Sequence, residues 1–142
     1  MGNLKQRLIK PGTDFNYAEG VKVKNASTSV AIAADTVVFV SGYEGPFLKV
    51  TKALGTNRGA RGRLFIAKHE IPADGFGVVL PWKLVTGSID MSSKVVGDRV
   101  FISNAGDPAL SAGTKSRTIG HVVDNANPGV YLFTGELVDQ TA

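Results

Sequence analysis

Beyond residue 20 no stretch of this chain sustains the apolar period of a helix over a full window. Short apolar runs punctuated by Gly, Pro, Asn and Asp recur instead at close spacing. That pattern constrains the fold to many short strands joined by tight turns. Val21-Lys22-Val23-Lys24 alternates apolar and basic residues, which puts both valines on one strand face and both lysines on the other. Further strands are predicted at Thr36 to Val40, Phe47 to Thr51, Arg63 to Lys68, Gly77 to Leu80, Trp82 to Ile89, Val100 to Ser103, Thr118 to Asp124 and Val130 to Leu137. The breaks between them, such as Ser41 to Pro46, Ile71 to Gly75 and Asn125 to Gly129, carry the residues that turns demand. Composition agrees, because Met and Glu are sparse beside Val, Thr, Gly and Ser. The expectation is a mainly β protein, a small β-barrel or β-sandwich formed by a single domain over residues 21–142.

Residues 1–20 read differently, as an extended N-terminal arm. Leu4, Leu8 and Ile9 fit one helical turn before the Pro11-Gly12 break, too short to hold a helix without a packing partner. Phe15 and Tyr17 then alternate with polar residues as a short strand does. An arm carrying such side chains implies a docking surface, on its own domain or on a partner.

The chain holds no cysteine, which excludes disulfides, thiolate metal sites and a cysteine nucleophile. Its two histidines, His69 and His121, lack the spacing of a helix-borne zinc site and read as strand residues. There is no G-x-S-x-G elbow and no local pair of carboxylates, so no catalytic, cofactor-binding or metal-binding residue is expected and the chain reads as a non-enzyme. No run of 18 apolar residues occurs, and Met1 to Lys10 lacks the pattern of a secretory signal. A soluble protein made in a reducing cytoplasm, with no membrane partner, is the corresponding expectation.

The formal charge of +4 is unevenly placed, with a net +6 over residues 1–70 and −2 over residues 71–142. The densest basic cluster, Arg58, Arg61 and Arg63 among glycines, has the chemistry to grip phosphates or carboxylates bidentately; the alternative is a solvated flexible loop. No Lys-Ser/Thr and helix follow it, as a phosphate-binding loop requires, and aromatic and basic residues are not interleaved on one strand. A nucleic-acid role therefore rests on charge alone. Trp82, the only tryptophan, follows Pro81 in an apolar stretch and is read as a core or subunit-interface anchor.

The succession Val96-Gly97-Asp98-Arg99-Val100-Phe101-Ile102-Ser103, Thr118-Ile119-Gly120-His121-Val122-Val123-Asp124 and Val130-Tyr131-Leu132-Phe133 resembles the small capsid decoration (cement) proteins of tailed bacteriophages. Ala33-Ala34-Asp35-Thr36-Val37-Val38 is similar to the family's first strand element, with Ala34 where Gly is usual. The basic Arg58 to Arg63 loop and the stretch Asp74 to Asp90 depart from the family's pattern. The resemblance implies a β-tulip-like body without enzymatic activity, often trimeric. It also implies a place on the outside of the expanded phage head, where the protein staples neighbouring major capsid subunits. On that view Leu4, Leu8, Ile9, Phe15, Tyr17, Arg58, Arg61, Arg63 and Trp82 are candidate contacts to the shell or to sister subunits. The alternatives are a nucleic-acid-binding barrel using the Arg58 to Arg63 loop, and a tail or head–tail joining subunit.

Overall fold

Val37-Val38-Phe39-Val40 is apolar at every position, and a strand needs that only when both of its faces are covered. The computed structural model, which describes residues 20–87, 89–135 and 137–138, shows how. The described residues are all-β, with no helix among them. Five strands close a barrel: β1 (Val21–Asn25), β2 (Val37–Glu44), β3 (Phe47–Lys52), β4 (Gly62–Ala67) and β5 (Phe76–Leu80). β1 lies parallel to β3 and antiparallel to β5; β2 pairs antiparallel with β3 and β4; and Ile66↔Leu80 and Ala67↔Val79 join β4 to β5, completing the ring. Closure leaves these five strands few open edges.

A second, curled antiparallel sheet has the order β6-β10-β9-β7-β8, formed by β6 (Lys83–Thr86), β7 (Arg99–Ile102), β8 (Pro108–Ala109), β9 (Thr118–Asp124) and β10 (Val130–Phe133). The short β11 (Leu137–Val138) returns to the barrel and pairs with β4. Strands are thus present in all nine expected segments. β6 is shorter than the predicted Trp82 to Ile89, ending at Thr86 before Gly87, whose φ of 66° takes the chain out of extended geometry. The two-residue β8 has too little sequence to carry a period.

Two cores follow from the alternation. Val23, Val38, Val50, Ala67 and Val79 point into the barrel and pack with Ile32 and Ile71. Their neighbours Val37, Leu64, Ile66 and Leu80 point outward and meet Val85, Val100, Ile102, Ile119, Val122, Tyr131 and Phe133 of the second sheet. The second sheet is therefore seated on the barrel by a continuous apolar interface, with one sheet face buried and the other turned to solvent. Asp35, whose φ is 65°, forms an ion pair with Lys83 across the two parts.

Gly120 shows how tightly β9 and β10 are laid together. A Cβ there would stand 2.0 Å from the Leu132 carbonyl oxygen, so only glycine fits.

Candidate docking surfaces

The solvent face of the second sheet is built by period-two alternation. Val85 is buried, whereas its neighbour Leu84 is 53% exposed and Trp82 is 58% exposed. Cross-strand register runs Leu84↔Leu132, Leu132↔His121 and His121↔Arg99, so one row crosses four strands on a single face. Val123 and Phe101 flank that row on β9 and β7, Val123 being exposed and Phe101 half-buried, with the Arg99 guanidinium 5.3 Å from the Phe101 ring centroid. Trp82 is thus not a core residue. It stands just before β6, which sends Val85 inward and leaves the opposite parity outside.

The basic cluster lies at another part of the surface. Arg58, with φ of 63°, and Arg61 are exposed in the loop before β4, and Arg63 is exposed within β4. The loop is anchored from below: Arg117, 5% exposed, donates through Nη1 to the Leu54 carbonyl at 3.2 Å and to the Thr56 carbonyl. Leu54 N also donates to Gly59 O at 2.7 Å, and Lys115 N to Gly55 O at 2.8 Å. A guanidinium with two backbone carbonyl partners fixes the loop's path in a way a merely solvated loop lacks. Leu4, Leu8, Ile9, Phe15 and Tyr17 lie outside the described residues.

A third surface escaped the sequence because its members come from three strands. On the barrel exterior Phe47 of β3 and Phe76 of β5 meet with ring centroids 4.7 Å apart. Lys22 of the intervening β1 places Nζ 5.5 Å from the first ring and 5.4 Å from the second. Lys24 follows on the same face, its ammonium 2.9 Å from Glu44, which also receives Lys49 at 3.6 Å. The hydrogen bond from Lys24 holds the Glu44 carboxyl below its ordinary 4.5, and the same bond holds Lys24 above 10.5. The alternation of Val21 to Lys24 was the available signal for the lysines, and nothing in the order of residues placed the phenylalanines beside them.

Between barrel and second sheet lies a cleft of about 390 Å³, lined by Ala33, Asp35, Thr36, Val85, Thr86 and Tyr131 among others. The Tyr131 hydroxyl is buried without a hydrogen-bond partner among the described residues; burial first, and the Asp35 charge second, push its ionisation above the ordinary value of 10. No group of three His, Asp or Glu side chains among the described residues is placed to hold a metal ion. His69 and His121 are far apart in the topology, one beyond the end of β4 and the other within β9. No helix of the described residues is long and apolar enough to cross a membrane. No family model matches the sequence, and no curated protein or solved structure matches it.

Proposed function

We propose that this protein is a structural capsid decoration protein, which docks on the outside of an expanded phage head and staples neighbouring major capsid subunits. The observation that carries the reading is the solvent face of the second sheet, where Trp82, Leu84 and Val123 remain 58%, 53% and 41% exposed although the sheet's other face is fully packed. Apolar side chains collected on one face, with an arginine and a histidine in the same row, have the make-up of a protein interface. A β body with two filled cores is a rigid platform for such a face. Repetition over many equivalent sites on a shell turns a modest contact into a substantial stabilisation. The resemblance of the sequence to cement proteins supports the same partner, and with it a homotrimer and a virion location.

Co-sedimentation with expanded, decoration-free shells tests the proposal, with unexpanded shells and free DNA as controls. Saturable pelleting with expanded shells alone is the expected result. A second reading, binding of single-stranded nucleic acid, is favoured by one observation, the Lys22, Phe47 and Phe76 cluster on the barrel exterior. It predicts retention on oligonucleotides that falls steeply with salt and weakens in Phe76→Ala. Pelleting unaffected by DNA and no oligonucleotide retention at low salt would dismiss it.

A further inference from the structure

The cleft of about 390 Å³ between barrel and second sheet carries a polar set that neither docking face uses. Asp35 enters it from the turn before β2, held at φ of 65° with its own N–H on the Ala67 carbonyl at 2.9 Å. Its Oδ1 accepts from Lys83, and its Oδ2 has no partner among the described residues. Asp107 enters from the turn before β8. Ser103 fixes that turn twice, its N–H donating to the Asp107 carbonyl at 2.8 Å and its Oγ accepting from Asp107 N at 3.0 Å. The Asp107 carboxylate itself has neither an ion pair nor a hydrogen bond among the described residues.

Tyr131 of β10 completes the set. It lines the cleft and is fully buried, and its hydroxyl has no hydrogen-bond partner among the described residues. The Asp35 charge adds to burial in raising its ionisation above 10, so the phenol stays protonated and its oxygen is free to accept. Buried hydroxyls are ordinarily satisfied, and one left open near a carboxylate marks a gap suited to a donor from outside the chain. No Lys, Arg or His among the described residues lines the cleft. Lys83 reaches Asp35 from outside, and Lys52, whose Cε a Cβ on Gly106 would meet at 2.5 Å, makes no ion pair with Asp107. One carboxylate charge is therefore balanced and the other is not. Val85, Ile89 and Pro108 supply apolar wall beside these groups.

We propose that this cleft binds a primary alkylammonium group, its N–H donors shared by the Asp107 carboxylate, Asp35 Oδ2 and the Tyr131 hydroxyl, its hydrocarbon stem laid against Val85, Ile89 and Pro108. An ammonium brings the two things these walls lack, a positive charge and several donors set around a single atom. A carboxylate or phosphate ligand would meet like charge there instead. The volume falls within the roughly 300–1,000 Å³ of small-molecule sites. Two sources carry this chemistry, a free alkylamine and the side chain of a lysine on a partner protein. The cleft lies on the Val85 side of the second sheet, away from Trp82 and Leu84, and the inference stands whether or not the protein binds a shell.

Titration of the isotope-labelled full chain with n-butylammonium, followed at the Val85 and Ile89 methyl resonances, is the test. Saturable shifts that n-butanol and n-butyrate do not produce are expected. Asp107→Asn should weaken binding about tenfold or more, and Tyr131→Phe about fivefold, since each removes one partner of the cation. Tyr131→Phe should leave the urea midpoint unchanged or raise it, because the hydroxyl bonds no described residue. A lysine blocked at both its amino and carboxyl ends, used as a second probe, separates the sources. Binding as tight as that of n-butylammonium assigns the site to a partner's lysine, and binding of n-butylammonium alone assigns it to a free amine. Equal responses to the amine and to n-butanol, or affinity unchanged in either variant, would overturn the proposal. So would a destabilised Tyr131→Phe protein, which places the hydroxyl in a bond within the chain, or the absence of any saturable shift, the result for a cleft holding only ordered water.

Discussion

Gly120→Ala should be among the most damaging single-methyl additions in the molecule. The new Cβ would stand 2.0 Å from the Leu132 carbonyl oxygen, 2.8 Å from the Leu132 carbonyl carbon and 3.1 Å from the Phe133 Cα, all backbone atoms of β10. Real Cβ contacts essentially never fall below 3.0 Å, so β9 and β10 must part by about 1 Å at this point. An N–H···O bond of about 2.9 Å does not survive that displacement, since bonding weakens beyond roughly 3.2 Å. Two ladder bonds are at stake, each leaving buried backbone groups unpaired at about 1–3 kcal/mol, so the expected destabilisation is about 2–6 kcal/mol. Urea unfolding followed by Trp82 fluorescence and by circular dichroism gives the number. Gly42→Ala is the matched control: its Cβ would meet only Lys49 side-chain atoms at 3.8 Å, an ordinary contact, so it should be neutral or slightly stabilising. A Gly120→Ala protein within about 0.5 kcal/mol of the parent would refute the packing of β9 on β10 described above.

Other consequences follow from the same geometry. Arg117→Met removes the Nη1 bonds to the Leu54 and Thr56 carbonyls, and should cost about 2–4 kcal/mol in urea unfolding while speeding tryptic cleavage at Arg58 and Arg61. Because Lys24 holds the Glu44 carboxyl below its ordinary 4.5, the ionised pair favours the folded state at neutral pH, and that contribution is lost as pH falls through the lowered folded value. The stability difference between the parent and Glu44→Gln should therefore vanish on acidification well below 4.5, as measured by thermal melts across that range. Leu64→Ala empties a fully buried position between barrel and second sheet, and should cost about 2–5 kcal/mol by the same unfolding assay.

Strand positions were legible in the sequence because alternation and turn residues are local signals, and β9 (Thr118–Asp124) coincides with its predicted span. Pairing was not legible. The parallel contact of β1 with β3, in which Val23 meets Leu48, joins residues whose proximity depends on barrel closure and on no local pattern. The apolar run Val37 to Val40 announces a strand, but the assignment of Val38 to the barrel interior and Val37 to the second core depends on the sheet laid over it. Candidate sites divide in the same way. Trp82 stood out by its rarity, whereas Leu84, Leu132 and Val123 look like any strand residues until register gathers them on one face. Phe47 and Phe76 are separated by most of the barrel in sequence and meet only because β1 lies between their strands.

The proposed contact to the capsid lies on the solvent face of the second sheet. Leu84→Ser combined with Trp82→Ser alters only exposed side chains of that face, so urea unfolding should remain near that of the parent. Pelleting of the double variant with expanded, decoration-free shells is the direct measurement. Loss of saturable binding by about tenfold or more in apparent affinity, with the fold intact, is the predicted result. Binding equal to that of the parent would contradict the claim and move the contact away from this face.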